Sequence, residues 1–193
     1  MGINGAGVVA AVLNRQGSLG PAPGKRSRGE LPLLALREGS AAAAARAICR
    51  LDAGAWRSFN MVLADRGGAV FVRGLGHGHV VAEALPAGLH MVTSRDPNDH
   101  HSPRVQRHLP RLRAAAVPEV DGWVAWRAIM ADRSGVAGEQ MNVVPRGGFG
   151  TVCSSLVALR GDGGVSWLFA AGAPDEAGFE PVALEGGLGG AVG

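Results

Sequence analysis

The chain has 193 residues, 47% of them hydrophobic and 18% charged, with a formal net charge of +3. This is an ordinary globular composition, long enough to bury a core within one domain. No apolar run approaches the roughly 20 residues that span a bilayer. The N-terminus also lacks the basic region and apolar core of a signal peptide, so the expected location is the cytoplasm.

Gly2 to Leu36 reads GINGAGVVAAVLNRQGSLGPAPGKRSRGELPLLAL. Val8 to Leu13 is apolar without alternation, the pattern of a strand covered on both faces. Asn14 and Arg15 sit just past its end. Gly17 to Lys25 is punctuated by Gly and Pro and predicts a loop. Ser27 stands three residues before Glu30 in capping-box spacing, and Pro32 limits the following helix to a short or late one. Ser40 is the expected cap of a second helix, Ala41 to Leu51, rich in the best helix former.

The period then changes. Phe59–Ala64, Ala69–Arg73, His79–Ala84 and Leu89–Thr93 read as short strands joined by tight turns, and hence as antiparallel hairpins. Ser102-Pro103 marks the start of a helix reaching about Ala116, with Val105, Leu109 and Leu112 on one face and a kink expected at Pro110. Trp123 to Asp132 is a further short helix. Met141–Val144, Gly150–Leu159, Gly164–Ala171 and Phe179–Leu184 are the last strand candidates. Residues 185–193 form a glycine-rich, low-complexity stretch read as a frayed tail. Strand runs bracketing helix runs predict an α+β fold with largely antiparallel sheets, one domain over 1–184.

The basic charge is almost entirely arginine, with Lys25 the only lysine, and it forms no block interleaved with aromatics. With tyrosine absent as well, a nucleic-acid partner is not expected. Cys49 and Cys153 are too far apart in sequence for a metal-type pair and too few for a disulfide framework, and are read as free buried thiols. Walker, dinucleotide-binding, nucleophile-elbow and zincin motifs are absent. On a strand His77 and His79 would share a face, yet no third ligand stands at useful spacing, so no metal is expected. His100 and His101 read as a solvated loop. Polar residues at strand ends carry more promise: Asn4, Asn14, Asn60, Ser94, Asn98 and Ser154-Ser155. A carboxamide held there can donate to a developing oxyanion, and it can equally serve as a turn former satisfying the backbone.

The order of these pieces resembles the NRDE family, also called the transport and Golgi organisation protein 2 family. The most specific are Gly2-Ile3-Asn4 with Ala11-Val12-Leu13-Asn14-Arg15, then Ser27-Arg28-Gly29-Glu30-Leu31, Phe59-Asn60, and Phe149-Gly150-Thr151. The likeness runs from Gly2 to about Val182. The family is similar to N-terminal nucleophile hydrolases of the choloylglycine and penicillin V acylase type. The resemblance therefore implies a four-layer αββα sandwich with antiparallel sheets. It also implies an N-terminal cysteine acting as nucleophile and, through its α-amino group, as base. Asn14 corresponds to a carbonyl-polarising donor, and Ser94 falls where acylases tend to carry a second. Arg146 corresponds to an orienting residue, while Asn4, Arg15, Arg26, Arg28 and Asn60 are the expected substrate-binding set.

The sequence departs from that pattern in having no Asn-Arg-Asp-Glu run and no cysteine near position 1. The expectation is a sheet lacking its first strand or strands, through a start assigned too late or a true truncation, and a chain inactive as given. Two functions stay open: an amide hydrolase in full-length form, or a non-enzymatic binding or trafficking protein for haem or another small apolar ligand. His77, His79 and His90 are the candidate haem ligands. The expected partner is a small-molecule ligand or amide substrate, with no cofactor required and the oligomeric state open.

Overall fold

The computed structural model describes residues 1–118 and 122–184; the expected tail 185–193 lies outside the described residues. The chain forms two compact units, Met1–Pro97 and from Asn98 onward. Each carries an antiparallel sheet, of five strands in the first unit and three in the second, so the fold is α+β. No helix among the described residues is long and apolar enough to cross a membrane.

The first unit is a five-stranded antiparallel sheet in sequential order: β1 (Gly2–Ile3), β2 (Val9–Asn14), β3 (Phe59–Asp65), β4 (Gly68–Gly74) and β5 (Val81–Leu85). Alternation along β3 sorts its residues between two faces. Phe59, Met61 and Leu63 are fully buried with α1 (Glu30–Ala35) and α2 (Ala41–Cys49), and the register sets Met61 between Val12 and Val72. Asn60, Val62 and Ala64 belong to the opposite face, where Asn60 pairs with Leu13 of β2 and Arg73 of β4. Gly74 is required by this packing, since a Cβ there would come within 2.4 Å of the Phe59 ring.

α2 begins where expected. Ser40 is extended and its hydroxyl accepts from Ala43 N over 3.2 Å, while the Asp65 carboxylate accepts from Ala41 N over 2.7 Å. Two of the four amides that a helix start leaves without partners are thereby satisfied. Its buried stripe is Ala41, Ala44, Ala45 and Ile48, small residues that let the helix lie close on the sheet.

α1 corrects the capping-box expectation. Its cap is Gly29, without a side-chain bond; Ser27 Oγ accepts from Gly29 N, and the Glu30 carboxylate turns to the Arg26 guanidinium. An ion pair with a charged donor outcompetes reaching back to a backbone amide. Pro32 is tolerated because it falls in the first turn, where its missing N–H would have had no partner.

Leu89–Thr93, expected as a strand, is irregular. The carbonyls of Thr93 and Arg95 accept from the Asn60 side chain, which takes the place of a neighbouring strand's backbone. His77 and His79 are likewise not on a strand. His77 lies in the bend before β5 and His79 in an isolated antiparallel bridge with Asp52, with Gly78 between them at φ 65°, so the two do not share a strand face.

In the second unit Ser102 caps α3 (Pro103–Ala114), which buries Val105, His108 and Leu109 and runs on through Pro110. α4 spans Val124–Met130. β6 (Ser154–Leu159) and β7 (Val165–Ala170) form a hairpin, with β8 (Glu180–Pro181) on the other side of β7. Cys153, just before β6, is exposed rather than buried as expected, and Cys49 is half-buried at the end of α2. Met141–Val144 is not a strand. Val143 N is taken by Thr151 Oγ1 at 2.9 Å and Val144 N by Gln140 Oε1 at 3.1 Å, so side chains replace a ladder. The strand expected over Phe179–Leu184 shrinks to two residues, and Pro181 supplies no ladder donor.

Candidate ligand-binding site

β2 delivers Asn14 to the end of the sheet, and residues 16–29 return beside it as a loop. Gly17, Gly20 and Gly24 adopt φ of 73–78°, a left-handed backbone that a side chain would strain. The loop is held at several points. Arg26 N donates to Ala55 O over 2.8 Å. Trp56, 1% exposed, donates its indole N–H to Ser27 O over 3.2 Å. Arg57 reaches Pro21 O at 2.9 Å and Gly20 O at 3.3 Å. Buried Ser18 bonds back to Arg15 O at 2.6 Å.

Between this loop and β2 lies a pocket of about 500 Å³, lined by residues that include Asn14, Lys25, Arg26, Ser27, Arg28 and Arg57, with Val12, Pro21 and Ala22 as its apolar wall. Four basic residues line a single small cavity. Arg26 is neutralised by Glu30 and stacks over Trp56 at 4.7 Å from the ring centroid. The other three have no carboxylate partner among the described residues. Lys25 Nζ donates to Gly54 O, Arg57 to loop carbonyls, and Arg28 Nη1 to Ser18 O (2.9 Å), Ser18 Oγ (3.1 Å) and Ser58 O (3.0 Å). Carbonyls orient a cation without cancelling its charge. Burial, and after it the neighbouring Arg57, pushes the Arg28 pKa below its ordinary value. The Asn14 carboxamide, exposed at the rim, makes no side-chain hydrogen bond among the described residues.

Beside the pocket runs a second network. Arg15 Nη1 donates to Asn60 Oδ1 and to Asp96 Oδ1, both at 2.6 Å. Arg73 Nη1 holds the other oxygen of Asp96 at 2.6 Å. Asn60, fully buried, spends its amide on Thr93 O (3.0 Å) and Arg95 O (2.7 Å). These groups satisfy one another, so the cluster clamps the 93–96 segment to the sheet.

The residues expected from the sequence therefore fall into four groups. Asn14, Arg26 and Arg28 come together in the pocket. Arg15 and Asn60 belong to the adjoining clamp, and exposed Ser94 touches it through its carbonyl, which accepts from Gln16 N over 3.0 Å. Asn4 sits in the β1–β2 turn, at the far end of β2. Its side chain is used up there, donating to Leu36 O and Glu38 O and accepting from Ala6 N and Val8 N. Arg146 lies in the second unit, its backbone closing a two-glycine turn with Phe149.

Sequence reasoning missed Lys25 and Arg57 as lining residues, and Asp96 and Arg73 as the clamp's ionic half. Arg57 is 29 positions from Arg28, and only the fold joins them. The pocket does not suit haem: its donors are carboxamide, hydroxyl, ammonium and guanidinium groups, which are poor ligands for iron. His77 and His79 stand exposed elsewhere, and His90 Nε2 lies 2.8 Å from Pro86 O. No family model matches the sequence, and no curated protein matches it.

Proposed function

We propose that this chain is an NRDE-family protein whose first unit binds a small molecule in the basic pocket beside β2. The observation that carries the reading is the convergence of Asn14, Arg26 and Arg28, all expected from the resemblance, on one cavity of about 500 Å³. That volume suits a small ligand. The cavity offers three kinds of recognition: a free carboxamide at the rim, cations within, and an apolar wall. The αββα sandwich of N-terminal nucleophile hydrolases belongs to the same proposal. An antiparallel sheet in each unit and helices on one face of the larger sheet support it. Both cysteines are free, in keeping with a reducing cytoplasm.

A second reading, amide hydrolysis, is favoured by one feature. The unengaged Asn14 carboxamide is placed to polarise a substrate carbonyl, as the resemblance implies for that position. Binding and turnover separate in one experiment. Small N-acyl amides bearing a carboxylate are titrated while the backbone amides are followed by NMR. Shifts clustered at Asn14 and residues 25–29 with intact ligand support the binder, and the same shifts with release of the free acid support the hydrolase. Shifts confined to other regions reject the pocket. Asn14→Ala is expected to weaken binding about tenfold or less, and to lower any turnover by about 10²–10³-fold.

A further inference from the structure

We infer that the ligand this pocket is built for carries a phosphate monoester, with a short apolar group seated on Val12, Pro21 and Ala22. The inference rests on the assignment of the pocket as the ligand site and adds the ligand's chemical class.

Charge selects the ligand class. Of the four cations lining the cavity, Arg26 already has its carboxylate in Glu30. Lys25, Arg28 and Arg57 do not, and all three are held by main-chain carbonyls that fix their direction. Three fixed, uncompensated positive charges around one small cavity exceed what a monoanion neutralises. A carboxylate would leave two charges facing each other, whereas a phosphate monoester, near −2 at neutral pH, leaves one.

Geometry agrees with charge. Arg28 commits only Nη1 to the protein, to Ser18 and Ser58. Its Nη2 and Nε carry no hydrogen bond among the described residues and remain as the fork that meets two oxygens of one anion. Lys25 adds a point charge, and Asn14 a neutral donor at the rim. The cavity has its apolar side at Val12, Pro21 and Ala22, which is where the ester group belongs. The loop needs no ordering to receive the ligand, since Ser18, Trp56 and Arg57 already pin it.

The test is calorimetric titration of the full chain with butyl phosphate, inorganic phosphate and butyrate. Butyl phosphate is expected to bind about tenfold more tightly than butyrate, and more tightly than inorganic phosphate. Arg57→Gln and Lys25→Gln are each expected to weaken it several-fold, with Arg46→Gln, an exposed arginine on α2, unchanged. Arg28→Gln is expected to weaken it most. Because that change also removes the loop's tie to Ser58, the Lys25 and Arg57 variants decide the question if it fails to fold. Butyrate binding as tightly as butyl phosphate, and weakened by Arg57→Gln, overturns the phosphate class and leaves the pocket standing. Equal binding of inorganic and butyl phosphate overturns the seat for the ester group. Binding that ignores all three pocket substitutions, or no binding of any of the three probes, overturns the proposal; in the first case the pocket assignment falls with it.

Discussion

The Arg28 guanidinium donates through Nη1 to the carbonyl of Ser58 over 3.0 Å, joining the last cation of the 16–29 loop to the residue immediately before β3. Ser18 takes part in the same junction: its hydroxyl lies 3.0 Å from Ser58 O and 2.6 Å from Arg15 O, and its carbonyl accepts from Arg28. The pocket wall and the start of the central strand are therefore one hydrogen-bonded piece, and changes at Arg28 act on both ligand affinity and stability.

Arg28→Ala removes the donor from Ser18 O and Ser58 O, both partly buried. A loss of about 1–2 kcal/mol is expected, since truncation leaves Ser18 O without its donor, while Ser58 O keeps the Ser18 hydroxyl. Urea denaturation gives the magnitude, and amide exchange should quicken over residues 16–29 while β4 is unaffected. A variant as stable as the parent, with unchanged exchange in the loop, shows that Ser18 and Trp56 hold the loop without Arg28.

Asn60 is the clamp's centre, with no exposed surface and three hydrogen bonds to Arg15, Thr93 O and Arg95 O. Asn60→Ala is expected to cost about 3 kcal/mol, from two orphaned carbonyls and a lost partner for Arg15. Asn60→Asp should be no milder. The carboxylate keeps the Arg15 contact but, as an acceptor only, meets two carbonyl oxygens. Denaturation midpoints of the two variants test this. An Asp variant close to the wild type would mean that the Thr93 and Arg95 contacts contribute little.

How much of this was legible from residues depends on how local the physics is. β2, β3, β4 and the β6–β7 hairpin follow from apolar runs between turn residues, and α2 from Ser40 and its alanines, because each is decided within a dozen positions. Asn14, Arg26 and Arg28 were legible as a group since one strand and one loop carry them. Leu89–Thr93 and Met141–Val144 have strand composition, yet side chains of Asn60, Thr151 and Gln140 take the backbone groups a ladder would need. The Ser27–Glu30 box failed for a similar reason, Arg26 having captured the carboxylate. Arg57 and Asp96 carry no local signal, and their roles arise from contacts tens of residues apart.

Ser40→Ala tests the start of α2. The hydroxyl is one of two side-chain acceptors there, the other being Asp65 from the end of β3. Losing one should cost about 1 kcal/mol. The double variant with Asp65→Ala should exceed the sum of the singles if each cap compensates for the other. Strict additivity in a double-mutant cycle would mean that the two amides are satisfied independently.

The burial of His108 predicts a pH dependence for the second unit. Its ring is fully buried, with Nε2 2.7 Å from Glu139 O and Nδ1 3.1 Å from Arg111 Nη1. A neutral imidazole protonated at Nε2 satisfies both contacts, donating to Glu139 and accepting from Arg111. Burial holds the His108 pKa below its ordinary value. The Glu139 hydrogen bond opposes this, and the positive charge of Arg111 adds to it. Asp132 keeps Arg111 paired throughout, its carboxyl held well below the usual range by the Ser134 hydroxyl and amide and by Arg111. As pH falls through the unfolded value of about 6.5, the unfolded chain binds a proton that the folded chain resists, so stability falls. The loss is complete below the folded pKa. The melting temperature is therefore expected to drop between about pH 7.5 and pH 5, and His108→Gln, which can still donate to Glu139, should flatten that part of the profile. A wild-type melting temperature that stays level or rises on acidification over this range contradicts a neutral, buried His108.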